Sequence, residues 1–132
     1  MLVLVGCANA PPARQTYEQL GRRAGIQAIV DDLLEVILED DRINYQFAST
    51  DIFRFRKKLA EQLCVESGGP CVYTGRTMQE AHVDRGIDDA QFNGLVEDLV
   101  LVMERRRIPV AAQNQLLRRL ALMHVQIAER AR

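Results

Sequence analysis

Cysteine and histidine are scarce in this chain of 132 residues, which holds three cysteines (Cys7, Cys64, Cys71) and two histidines (His82, His124). That inventory leaves no set for a structural zinc site, which needs four ligands drawn from close-spaced pairs such as CxxC or HxxxH. No GxSxG elbow is present to set a serine beside a histidine, so hydrolase chemistry of that kind is disfavoured. The phosphate-cradling patterns GxGxxG and GxxxxGK are missing too. Nor is there an excess of either charge. Lys and Arg number 17 against 18 Asp and Glu, a net charge of -1, so no overall positive field draws the chain to nucleic acid or anionic lipid. The one dense basic run, Arg105-Arg106-Arg107, falls where a helix is expected to end, the pole that favours cations. Hydrophobic residues at 48% and charged residues at 27% describe one ordinary soluble domain.

The N-terminus reads as something other than fold. Leu2 to Gly6 are apolar or small, and Cys7 is followed by Ala8-Asn9-Ala10-Pro11-Pro12-Ala13. Leu4-Val5-Gly6-Cys7 resembles a bacterial lipobox, in which the leader is cut before a cysteine that then carries lipid. Residues 1–16 are then a leader and tether, and 17–132 the folded domain. The apolar run is shorter than the roughly 7–15 residues of a secretion signal, and nothing basic precedes it. A chance match on a cytoplasmic tail therefore stays open beside a periplasmic or lipid-anchored chain.

Beyond it the pattern is all-α. Ile26, Ile29, Val30, Leu33, Leu34, Ile37 and Leu38 recur in steps of three and four from Gly25, with Asp31, Asp32, Glu35 and Glu39 outward. Ser49-Thr50-Asp51 offers cap residues for a second helix whose apolar side is Ile52, Phe55, Leu59, Ala60, Leu63 and Cys64. Arg54, Arg56, Lys57 and Lys58 make its other side basic, and Gly68-Gly69-Pro70 ends it. Cys71 to Gly86 is polar and turn-rich, with space for a turn or two of helix around Thr77 to His82. Asp88-Asp89 caps a third long helix carrying Phe92, Leu95, Val96, Leu99, Val102 and Met103. Pro109 starts a fourth, whose expected buried set is Leu116, Leu117, Leu120, Ala121, His124, Ile127 and Ala128.

Gly68-Gly69-Pro70, Tyr73-Thr74-Gly75, Met78 four residues before His82, and Gly86-Ile87 follow one another in order. With Tyr17-Glu18-Gln19-Leu20-Gly21 and with Phe47 ahead of Thr50-Asp51, this series resembles the signature of group I truncated globins from Tyr17 to about Ile127. The resemblance implies a two-over-two helical sandwich around a b-type haem, with His82 as the iron ligand. Met78 lies one turn before His82 on the same helical face. Phe47 is then the aromatic that packs on the porphyrin, and Tyr73 and Thr74 match positions near its edge, with a structural role in the turn as the alternative. Phe55, Lys58, Leu59, Leu63, Met78, Ile87, Phe92 and Leu120 complete the expected haem-contacting set. The family usually has a second glycine where Arg22 stands here.

The same register puts Leu34 and Leu59 where many relatives carry a tyrosine and a glutamine that donate to bound oxygen, and Phe55 one turn before Leu59. The expected distal pocket is therefore apolar. Lys58 occupies a position that supplies a sixth iron ligand in some relatives; pairing with a haem propionate or with water is the alternative. His124, near the point where a few relatives attach histidine to a haem vinyl group, is expected as a partly buried packing residue. Cys64 and Cys71 flank the Gly68-Gly69-Pro70 turn at a spacing that allows a disulfide, which would suit an oxidising compartment.

The leading expectation is a monomeric haem protein that binds a diatomic gas (oxygen, carbon monoxide or nitric oxide) at the iron held by His82, with no nucleic-acid partner. Two alternatives stand beside it: a redox enzyme acting on nitric oxide or peroxide with a reductase, and a six-coordinate electron-transfer protein ligated by Lys58.

Overall fold

The computed structural model describes residues 12–128, and side chains from residue 14 onward. Among the described residues there are seven α-helices and no strand: α1 (Pro12–Gln19), α2 (Arg22–Glu39), α3 (Ile52–Glu66), α4 (Met78–His82), α5 (Asp89–Arg105), α6 (Val110–Ala121) and α7 (His124–Ile127). A short 3-10 turn, Asn44–Phe47, joins α2 to α3. Helix α2 is the spine. It packs on α3 and α5, while α1 lies against α6 and α6 also meets α3 and α5.

The caps explain where the helices begin. The Asp51 side chain accepts from the Arg54 amide at α3, Thr77 accepts from Glu80 at α4, and Asp88 forms a reciprocal capping box with Gln91 at α5. The core is built from Leu20, Ile26, Ile29, Val30, Leu33, Ile37, Leu63, Leu99, Val102, Met103 and Leu116, all nearly free of solvent. Burying each large apolar side chain contributes about 1.5–3 kcal/mol.

Three local readings of the sequence need revision. Helix α1 begins at Pro12, inside the stretch expected as a tether, and Thr16 is buried. Proline is tolerated at a first helical position because its missing N–H would be unpaired there. Helix α2 begins at Arg22 rather than Gly25. Gly21 (φ 91) and Arg22 (φ 61) both take left-handed backbone, and the Arg22 guanidinium is tied to Glu18 at 2.6 Å. Gly25 lets α2 approach the end of α1, since a Cβ there would stand 2.1 Å from the Leu20 carbonyl oxygen. The expected fourth helix is interrupted at Leu122–Met123, leaving Ala121 exposed and giving α6 and the short α7. The sites expected in residues 1–11, Cys7 included, lie outside the described residues.

Candidate functional site

Helices α3, α4, α5 and the α6–α7 corner, with the segments before α3 and α4, line a half-open cavity of about 510 Å³. Phe47, Phe55, Lys58, Leu59, Leu63, Tyr73, Met78, His82, Ile87, Phe92 and Leu120 all line it. The sequence placed these eleven on five separate stretches, and the fold brings them to one space.

The lining is strongly apolar on the α3 and α5 sides. Phe47 and Phe55 pack ring to ring, 5.1 Å between centroids and tilted by 53°, an arrangement favoured by the ring quadrupoles. Ile43, Leu95, Val96, Leu99, Met123 and Ile127 extend the wall. They went unselected because an apolar residue on a helical face does not announce whether it meets a cavity or the core.

His82 ends the five-residue helix α4. Its Nδ1 lies 2.6 Å from the Met78 carbonyl oxygen, so the N–H on Nδ1 donates to that oxygen and Nε2 keeps the lone pair. Burial pushes the imidazole below its ordinary value, and the nearby Arg85 adds to this, while the bond to Met78 opposes it. The result favours a neutral ring, the form in which imidazole ligates a metal. Among the described residues there is no cluster of three His, Cys, Asp or Glu that could hold a bare metal ion. One nitrogen donor facing an apolar cavity suits a metal that brings its own equatorial ligands.

The mouth is basic. Arg54, Arg76 and Arg85 are exposed and line the cavity rim. Lys58, also at the rim, is already engaged: its ammonium donates to the Thr74 hydroxyl at 2.5 Å and stands 3.7 Å from Glu61 Oε2. Desolvation raises the Glu61 carboxyl, and two bonds from Thr74 together with the charges of Lys58 and Lys57 outweigh it, leaving Glu61 below its ordinary value.

On the distal side the expected positions divide. Leu59 and Phe55 face the cavity, but on α2 the residue in the wall is Leu33, while Leu34 sits in the core beside it. Gln62, a polar residue in the wall not anticipated from the sequence, is buried, and its amide nitrogen is turned to Glu66 (3.2 Å) and Met123 Sδ (3.6 Å). His124 does not line the cavity. Its Nε2 pairs with Asp89 at 2.8 Å, and its ring stands edge-on to Phe92 at 4.8 Å. Cys64 and Cys71 form a disulfide, with Cα atoms 5.9 Å apart.

This arrangement has counterparts. The family model described as bacterial-like globin matches residues 15–129. A group 1 truncated hemoglobin GlbN from Synechocystis is 33% identical over 97 residues, covering 70% of this chain and 78% of that protein. A group 1 truncated hemoglobin GlbN from Mycolicibacterium paratuberculosis is 26% identical over 128 residues, covering 97% of this chain and 93% of the other. In structure, the truncated hemoglobin of Tetrahymena pyriformis in its Fe(III) form superposes with a TM-score of 0.84 at 24% identity. The match covers 87% of this chain and 98% of that one, and speaks for the fold.

Proposed function

The chain belongs to the bacterial-like globin family, and from that premise we propose that it binds a b-type haem in the cavity between α3 and α5 and takes up a diatomic gas there. One observation carries the assignment of the ligand: His82 lines the cavity with Nδ1 committed to the Met78 carbonyl, which leaves Nε2 to the iron. Haem, when bound, supplies the metal centre at which such a gas is held.

The chain's own residues do the rest. Phe47, Phe55, Leu59, Leu63, Phe92 and Leu120 exclude water from the interior of the cavity. Arg54, Arg76 and Arg85 present positive charge at the rim and would pair with the carboxylates of a bound haem. The Met78 carbonyl fixes the orientation of the His82 ring, as a hydrogen-bonded partner does for most metal-bound histidines.

Phe55, Leu59 and Leu33 bring no donor to the ligand side, and Gln62 is turned elsewhere. This favours a pocket that discriminates little in favour of oxygen by hydrogen bonding. The Lys58 ammonium is held by Thr74 and Glu61, which weighs against standing ligation by Lys58 and so against the six-coordinate electron-transfer alternative. Reconstitution with haem, followed by ferrous absorption spectra with and without carbon monoxide, tests the proposal. A five-coordinate ferrous spectrum that converts on adding carbon monoxide is expected; a chain that takes up no haem would overturn it.

A further inference from the structure

Tyr73, Gly75 and Arg76, in the loop between α3 and α4, form part of the cavity wall. From Pro70 to Arg76 this loop makes no backbone–backbone hydrogen bond to the described residues. Side chains hold it instead. Arg23 donates to the Pro70 carbonyl at 3.0 Å, and the disulfide joins Cys71 to Cys64 on α3. The Tyr73 hydroxyl donates to the Arg76 carbonyl at 2.6 Å.

The last tie reaches the cavity rim. The Thr74 hydroxyl accepts from Lys58 and passes its own hydrogen to the Glu61 carboxylate, at 2.8 Å from Oε1 and 2.9 Å from Oε2. The Thr74 amide donates to Glu61 Oε2 at 3.1 Å. Glu61 and Lys58 sit three residues apart on one face of α3, so the carboxylate both anchors Thr74 and faces the ammonium.

We infer that Glu61 is a positioning residue of the site: through Thr74 it holds the Lys58 ammonium at the cavity rim, and the Cys64–Cys71 bond keeps Thr74 within reach, so that a dithiol reductant releases Lys58. The consequence for a bound haem rests on the function proposed above; the hold itself does not. Reduction transfers two electrons and two protons. The dithiol closes to its own disulfide, and Cys64 and Cys71 become thiols. Cys71 offers the more accessible sulfur, since Cys64 is 2% exposed. With the bond open, the loop is left to the bond from Arg23 at Pro70 and to the bonds of Thr74 with Glu61 and Lys58, which no longer have a covalent tie to hold Thr74 in place, and the cation at the rim becomes free to move.

Lys57 and Lys58 are the only lysines in the chain, so the exposed Lys57 is a built-in reference. The haem-loaded full chain is treated with a trace of acetic anhydride at fixed pH, and the ratio of label on Lys58 to Lys57 is read from peptide fragment spectra. In the oxidised protein Lys58 is labelled more slowly. The ratio is expected to rise roughly threefold or more in Glu61→Gln, in Thr74→Val and in the wild type reduced with dithiothreitol, the low end of the net contribution of one hydrogen bond. Thr74→Ser, which keeps the hydroxyl, should retain the wild-type ratio, a rescue that a merely structural role would not give. An unchanged ratio in both Glu61→Gln and Thr74→Val overturns the inference. A rise in the variants without any response to dithiothreitol overturns the link to the disulfide. The absorption spectrum of the same samples separates the two levels: normal haem uptake with a flat ratio counts against the hold alone, and absent haem with the expected ratios counts against the proposed function alone.

Discussion

The His82 ring is oriented by a backbone atom of its own helix: Nδ1 meets the carbonyl oxygen of Met78 at 2.6 Å, one turn earlier. A side-chain partner could be lost by mutation; this acceptor is present whatever residue stands at 78. The proximal side of the proposed haem site therefore depends on the helical geometry of α4, which Thr77 caps through its bond from the Glu80 amide.

His82→Gly should abolish stable haem retention, because the other histidine, His124, is engaged by Asp89 and Phe92 outside the cavity. Added imidazole should restore a haem spectrum in that variant by occupying the space left by the ring. Haem titration followed at the Soret band checks both points, and unchanged affinity in the variant would refute His82 as the ligand.

Acid should release the haem. Burial lowers the His82 value in the folded chain below its ordinary 6.5, so folding and ligation both favour the neutral ring. That contribution is present at and above the unfolded value and is lost as pH falls through the folded one. The Soret band of the ferric protein should hold steady above pH 6.5 and collapse at a midpoint below it. Thr77→Ala, which removes the α4 cap, should move the midpoint upward.

Leu59→Gln, alone or with Phe55→Gln, places an amide donor in the cavity wall. Oxygen dissociation from the reduced haem protein should slow by about tenfold or more, corresponding to about 1.4 kcal/mol. Carbon monoxide dissociation should change less. Stopped-flow displacement measures both, and equal effects on the two gases would argue against a hydrogen-bonding origin.

Gly25→Ala should destabilise the fold by roughly 2 kcal/mol or more, the range for strain forced on a packed site. Its Cβ would meet the Leu20 carbonyl oxygen, a backbone atom that cannot swing aside. Denaturant unfolding gives the value; a change under about 0.5 kcal/mol, the scale of an ordinary surface substitution, would show that α1 and α2 can separate at little cost.

Asp98 on α5 is buried, and its Oδ2 has no hydrogen-bond partner among the described residues. Burial, then the neighbouring Asp40, pushes its carboxyl up to about 6, whereas hydrogen bonds from Arg42 hold Asp40 well below its ordinary value. A raised carboxylate means that the folded state keeps a proton the unfolded chain has released. The Asp98 contribution to stability therefore declines as pH rises from near 3.8 through about 6. Asp40 acts in the opposite sense, at lower pH. Asp98→Asn should accordingly melt higher than the wild type at pH 8, with a smaller difference at pH 5. A larger gain at pH 5 than at pH 8 would contradict this.

Much of the scaffold was legible because local chemistry wrote it. Asp51 and Asp88 cap the helices they precede, and Gly68-Gly69-Pro70 stops α3. The cavity residues were legible through their spaced motifs, with His82 at the centre. What escaped was set by tertiary contact. Nothing such as glycine or proline marks Leu122–Met123, yet the chain breaks there and His124 joins Asp89 and Phe92 on α5. Leu33 and Leu34 are chemically identical neighbours, and only packing decides which one faces the cavity. The partner of Lys58 stands sixteen residues along, on a loop whose course the sequence does not state.

The adjacent aspartates of α2 reach in different directions. Asp31 joins Arg56 on α3 at 2.5 Å, and Asp32 joins Arg106 beyond the end of α5 at 2.7 Å. Each pair is partly exposed and contributes about 1 kcal/mol or less to stability. Their combined effect is angular. A turn of α2 by about 100° about its own axis would exchange Leu33 for Leu34 at the cavity wall; the buried stripe Ile26, Ile29, Val30, Leu33 and Ile37 forbids so large a turn, and the two pairs add only a weak bias to the helix's rotational setting. Substitution at Asp31 or Asp32 is therefore expected to cost little stability and to leave the shape of the cavity to the buried face of α2.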